Sequence, residues 1–291
     1  MKRALLLFAL VLWSYAPAYA QPAGWDGVEK VFGRKGTVQG EMFKIAFPRS
    51  DLSVKVGEVS VEPGLALTSW IGLKRTGMGM EAMMMGDLAL LEKEVPPVTA
   101  KMVAEGIQIT ALHNHLIGST PFIMYLHFSG EGTPEKLAGA MRSVLSVTGT
   151  PMTAPISPET AANPADWTKV EAIFGKAGQK RGNLLQMSFP RNEEIKEKGM
   201  VVPPYLGMAN GINLQMVGSK AATTGDFVLI GGEVNPVVKA LVDNGITVTA
   251  VHSHMLYEVP RLFFLHFWGY DEPEKLANGL KAALNKINLA K

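Results

Sequence analysis

Six histidines hold most of the chemistry open to this sequence, in two matching sets: His113, His115 and His127, then His252, His254 and His266. There is no other histidine and no cysteine, so disulfides and thiolate ligands are excluded, and a transition-metal site must come from imidazole, carboxylate or thioether. Each set is a His-x-His pair followed, after a short turn, by a third His. Residues two apart on a strand point to one face. A turn centred on Thr120 sets His113 across an antiparallel hairpin from His127, and one centred on Val259 does the same for His252 and His266. Cross-strand Cβ atoms lie about 5 Å apart, so each half could converge three imidazoles on one ion. Such a set holds Zn²⁺ with a fourth position open for water, which then ionises near neutral pH; copper is the alternative metal. Hairpin-face imidazoles that only hydrogen-bond each other, Tyr125 or backbone fit the same spacing without a metal.

Other mirrored residues extend the inventory. Glu94 and Glu233 occupy matched Glu-Val-x-Pro segments and are candidate general bases or extra ligands; a carboxylate at a helix N-terminus fits them equally. Arg49 and Arg191 are candidate contacts to an anion, with exposed strand ends the plainer reading. Asp87 and Asp226 each follow a glycine and read as turn residues. Met78, Met80, Met83, Met84 and Met85 form a one-sided segment with no counterpart in the second copy. Thioethers favour Cu(I), and flexible apolar packing between the halves explains the segment too.

These residues recur because the chain is written twice. Trp25 to Gly33 returns at 167–175 and Phe47-Pro48-Arg49 at 189–191, 142 positions on; the histidines, Gly86-Asp87 and Pro134-Glu135-Lys136-Leu137 return 139 positions on. The difference is three residues lost from the second copy between about Arg191 and Gly225. The predicted organisation is a signal peptide at 1–20, a first repeat domain at 21–148, a Pro-rich linker at 149–166 and a second repeat domain at 167–291.

Each repeat reads as α+β. A short helix ends at Phe32-Gly33, strands fall at 41–48 and 66–73, and a strand-helix-strand unit follows at 87–91, 98–104 and 107–116. A return strand at 122–128 closes the hairpin, and Thr133-Pro134 opens a last helix. The expected fold is two similar domains, each a mainly antiparallel sheet with a split βαβ-like unit and helices packed on one face, the two repeats pairing within the molecule.

Lys2 and Arg3, an apolar run from Ala4 to Trp13 and Ala18-Tyr19-Ala20 have the layout of a secretory signal peptide, which predicts a periplasmic or secreted protein. The run is half the ~20 residues that span a bilayer, so no transmembrane segment is expected. Of 28 Lys and Arg against 26 Asp and Glu, two basic residues belong to this segment, leaving the remainder neutral. That balance argues against a nucleic-acid partner.

At Ala111-Leu112-His113-Asn114-His115 with Leu126-His127-Phe128, and at Ala250-Val251-His252-Ser253-His254 with Leu265-His266-Phe267, the chain resembles the LppY/LpqO family of exported bacterial proteins. The resemblance covers most of the chain as two copies of that family's domain, and implies export but no reaction or substrate. Some relatives are lipoproteins; this chain lacks the lipid-accepting cysteine. The functions that fit are a metal-binding protein with a three-His site per half and Zn-dependent hydrolytic chemistry, a non-catalytic small-molecule or copper-handling protein, and a structural envelope protein.

Overall fold

A computed structural model describes residues 24–77, 80–153 and 165–290. The export segment, Met78 and the middle of the Pro-rich linker lie outside the described residues.

The first half runs α1 (Asp26–Phe32), β1 (Thr37–Gln39), β2 (Met42–Pro48), β3 (Val54–Val56), β4 (Val59–Val61), α2 (Pro63–Ala66), β5 (Thr68–Thr76), β6 (Glu81–Leu91), α3 (Val95–Ala104), β7 (Gln108–His113), β8 (Ser119–Thr120), β9 (Ile123–Gly132) and α4 (Pro134–Leu145). The second runs α5 (Thr168–Phe174), β10 (Gln179–Arg181), β11 (Leu184–Pro190), β12 (Lys196–Glu197), β13 (Met200–Val201), β14 (Ala209–Val217), β15 (Lys220–Ile230), α6 (Gly231–Asp243), β16 (Thr247–His252), β17 (Glu258–Val259), β18 (Leu262–Asp271) and α7 (Pro273–Leu284).

Each half builds one six-stranded sheet, in the order β1-β2-β5-β6-β9-β7 and β10-β11-β14-β15-β18-β16. β9 lies between β6 and β7, antiparallel to both, so β6, α3 and β7 form the expected split βαβ unit; β15, α6 and β16 repeat it around β18. α3 stops because Gly106 takes φ 72°, and Ile107 N–H then returns to Met102 O at 2.9 Å. Thr133 holds the position before α4 but makes no side-chain cap bond; Pro134 at the first helical position sets the start.

Alternation along the strands separates two faces. Phe43, Ile45, Phe47, Leu88 and Leu90 pack beneath α1, α3 and α4, and the second half repeats this core. The intervening residues turn to the other half: Ala89, Ile123 and Tyr125 cluster with Leu184 and Ala222, while Met83 and Met85 cluster with Val228, Leu262 and Phe264. The layers therefore run helices, sheet, sheet, helices. Polar ties cross the boundary near α2, where Gln215 accepts from Glu62 N–H at 2.9 Å and donates to Ser60 O at 2.8 Å. Asn213 donates to Leu65 O at 3.0 Å. Met83 and Met85 belong to this layer while Met84 between them packs in the helix-side core, all three on β6, which begins at Glu81 and passes straight through Gly86 and Asp87.

Candidate metal centre

The histidine hairpin departs from the register that simple alternation predicts. Ala111 stands opposite His127 and His113 opposite Tyr125; in the second half Ala250 opposes His266 and His252 opposes Phe264. The cause is a β-bulge at Thr110 and Thr249, where pairing jumps from Ile109 to Ala111 and from Val248 to Ala250. One inserted residue exchanges the faces of all that follow it. Ile109 thus packs with the helix-side core, whereas His113 turns inward with His127.

The six rings meet as one cluster across the boundary. His113 stacks on His252 with ring centroids 3.5 Å apart, His115 on His266 at 3.7 Å and His127 on His254 at 3.6 Å. Exchanging the two copies maps the second pair onto the third, so the cluster is pseudo-twofold. Tyr125 and Phe264, themselves a matched pair, close its outer faces at 3.6 Å from His115 and His254. Donor atoms of His113, His115 and His127 all lie within 4.8 Å of one another, as do those of His113, His252, His254 and His266, and those of His115, Asp226 and His266. The first predicted triad does come together. The second gathers around His113 of the first, which joins the two expected sites into one. Two Zn–N bonds of about 2.1 Å span at most about 4.2 Å, so small side-chain rotations would close any of these sets on an ion.

Four of the six rings reach the backbone through one nitrogen. His113 Nδ1 lies 3.4 Å from Asn114 O, His252 Nδ1 3.2 Å from Ser253 O and His266 Nδ1 3.1 Å from Gly225 O, while His127 bonds the backbone at Gly86. A ring that donates from Nδ1 to a carbonyl presents Nε2 as a lone pair, the arrangement of metal-ligating histidines. All six Nε2 atoms are buried without a hydrogen-bond partner. Each such atom costs about 1–3 kcal/mol, a cost that a metal ion held by these nitrogens would offset. Protons do not fill that role. Burial first, then the charge of neighbouring imidazoles, drives His113, His115 and His254 far below the ordinary imidazole range; burial chiefly takes His127 to about 3 and His252 to about 4.

Asp87 and Asp226 are not turn residues: they sit mid-strand against the cluster, opposite His127 and His266. Asp87 Oδ2 is 3.8 Å from His127 Nε2 and 3.9 Å from His115 Nε2; Asp226 Oδ1 is 2.9 Å from His266 Nδ1 and 4.0 Å from His254 Nε2. Burial, reinforced by Asp226, raises the Asp87 carboxyl well above the usual range. Burial pushes Asp226 up as well, but His266 and the other imidazoles outweigh it and hold Asp226 down. The legible signal was a carboxylate inside an apolar run after glycine in both copies. The ladder sets Trp70 opposite Asp87 but Gly211 opposite Asp226, with open space where a side chain would be. That difference leaves 36% of the Asp226 side chain accessible against 9% for Asp87.

The preceding glycines are dictated by close approach. A Cβ on Gly86 would collide with the Trp70 carbonyl oxygen and the Phe128 ring, and one on Gly225 with the Gly211 carbonyl oxygen. Gly86→Ala and Gly225→Ala should each cost about 1–3 kcal/mol in urea unfolding, as overpacking does. A cost near zero would mean the strands are further apart.

Glu94 and Glu233 stand apart from the cluster, and so do Arg49 and Arg191. Arg49 is fully buried and grips Glu94 through two bonds of 2.8 and 3.2 Å, Asp51 through two of 2.9 Å, and Ala89 O at 2.7 Å. Glu94 also accepts Leu91 N–H at 2.8 Å, at the start of a 3₁₀ turn, and Gly149 N–H at 2.7 Å from the segment after α4. Arg191 and Glu233 repeat the pair at 2.6 and 3.1 Å, with Ile230 and Asn288 as the backbone donors. With every hydrogen of the fork and both carboxylate oxygens engaged, these residues are tethers rather than a base or an anion contact.

A narrow cleft of about 20 Å³, room for about one water, reaches the cluster and is lined by His127, His254, Thr110, Met85, Met208 and Met255 among others. The molecule is thus a tandem α+β repeat protein whose two sheets enclose a shared six-histidine centre. It belongs to the family described as Domain of Unknown Function (DUF1259), whose profile matches residues 26–147 and 168–286, one copy in each half. No curated protein matches the chain. Among solved structures, a trimeric bacterial microcompartment shell protein, PduB, aligns over 87% of this chain and 89% of its own at 15% identity, with a TM-score of 0.22. A likeness that low carries no argument. Among the described residues, no helix is long and apolar enough to cross a membrane.

Proposed function

We propose that this chain is an exported metal-binding protein whose six histidines form a single transition-metal centre shared by its two halves. The observation that carries the reading is the set of six buried, unpartnered Nε2 atoms on rings that stack into one cluster. Imidazole suits Zn²⁺ first, with copper the alternative, and Asp226 supplies a carboxylate oxygen to the set. Export is supported by the charged, apolar and small-residue pattern of residues 1–20 and by the resemblance to LppY/LpqO proteins. Protein purified from its native compartment without a His tag should carry at least one equivalent of a transition metal per chain by elemental analysis. Metal-free protein whose thermal stability ignores added Zn²⁺, Cu²⁺ and Ni²⁺ would contradict the proposal.

A second reading, Zn-dependent hydrolysis, draws on the cleft, which has room for about one water beside His127 and His254. A zinc ion there would act as a Lewis acid and water activator, with Asp226, the more accessible carboxylate, placed to accept a proton. Ester or amide hydrolysis lost on chelation and restored by Zn²⁺ would establish it; inactivity of zinc-loaded protein toward such substrates would end it.

A further inference from the structure

The pseudo-twofold centre is flanked unequally, and the inequality is one of sulfur. On one side the inter-half contact is aliphatic and aromatic, built around Val54, Leu65, Leu116, Tyr125 and Leu184, with no methionine among its described residues. On the other, Met83, Met85, Met208 and Met255 are buried, with Met42 and Met200 packed against them. They come from both halves: Met83 and Met85 from β6, Met208 from the segment before β14, and Met255 from the turn that follows His254. Three of them, Met85, Met208 and Met255, line the cleft that ends on His127 and His254. A second, adjoining cleft is lined by Met83, Met84, Met85 and Met200. Internal packing alone does not call for thioethers here, since the matching contact across the pseudo-axis is closed without them.

We infer that this methionine-lined cleft is the path by which a soft monovalent cation, Cu(I), reaches the histidine centre. The inference rests on the histidines being a metal site and names the class of metal delivered to it. Thioethers are weak, soft ligands that hold Cu(I) and Ag(I) and discriminate against Zn²⁺, whereas imidazole accepts both hard-borderline and soft ions. A sequence of thioethers ending at imidazole therefore filters by softness along the path and binds more firmly at its end. The step is ligand exchange alone: each metal–sulfur bond formed replaces another donor on the ion, and no electron is transferred. Met80 lies 71% exposed at the β5–β6 turn, just before the strand that supplies Met83 and Met85, where an incoming ion would first meet sulfur.

The test uses Ag(I), a redox-inert stand-in for Cu(I), and Zn²⁺ as the control, on the full chain and on the variant M85L/M208L/M255L. Leucine preserves volume and apolarity, so the variant should fold, which circular dichroism checks. Ag(I) loading, followed by stopped-flow against a competing chelator, should slow at least ten-fold in the variant while Zn²⁺ binding at the histidines is unchanged. Equal Ag(I) rates in the two proteins, or failure of Ag(I) to bind a wild-type protein that takes Zn²⁺, would overturn the inference and leave the histidine centre standing. Failure of both ions to bind wild-type protein would overturn both. Should the triple variant misfold, Met85→Leu alone must still slow Ag(I) loading, and an unchanged rate there counts against the path.

Discussion

Metal-free protein should unfold cooperatively in mild acid, between about pH 6 and pH 4, well above the range in which ordinary carboxylates titrate. His113, His115, His127, His252 and His254 all have folded pKa values below the ordinary imidazole value, His127 at about 3 and His252 at about 4. The unfolded chain takes up protons near pH 6.5 that the folded chain refuses, so the stability these groups contribute is complete above that pH and is lost as pH falls toward the folded values. Each such group costs about 1.4 kcal/mol per pH unit in this window, and five together about 7, against a total stability of about 5–15 kcal/mol. Asp87 works in the opposite sense, because its raised folded pKa returns stability as pH falls, but it is one group against five. Urea unfolding from pH 7 to pH 5 should therefore show a steep fall with several protons taken up, and bound metal should shift the transition to lower pH. Stability flat across that range would mean the rings are not buried as a neutral cluster.

Glu94→Ala should destabilise the protein by about 3 kcal/mol or more while leaving its metal content unchanged. The substitution strands a fully buried guanidinium, with Asp51 the one carboxylate left beside it and Ala89 O its other acceptor, and frees the Leu91 and Gly149 amides that Glu94 accepts from. Glu233→Ala should behave alike through Arg191, Ile230 and Asn288. Replacing Arg49 and Glu94 together by methionine should recover part of the loss, because the fully buried charge is gone and Asp51, which loses its partner, is partly exposed to water. Equilibrium unfolding measures the stability and elemental analysis the metal. A full-stability Glu94→Ala protein that has lost its metal would return Glu94 to the site.

What could be read from the sequence followed the repeat. The duplicated Trp-to-Gly opening helix, the helix stop at Gly106 and the split βαβ order all stand in the fold, because periodicity and turn chemistry are local. The histidines were legible as two sets for the same reason. What escaped depended on longer-range facts. The bulge at Thr110 has no mark in the residues themselves, yet it decides which face His113 takes and so whether the two triads meet. Asp87 looked like a turn residue because Gly86 precedes it; that glycine is required instead by the close approach of Trp70 and Phe128 within a continuous strand. Glu94 and Arg49 lie 45 positions apart, and nothing local to either announces the pair.

Anomalous diffraction from crystals loaded with Zn²⁺ or Ag(I) tests the central claim most directly. The account predicts metal density inside the cluster, bound through Nε2 atoms contributed by both halves, with His113 or His266 among the ligands. Two well-separated ions, each held by histidines of one half alone, or metal bound only outside the cluster, would contradict it.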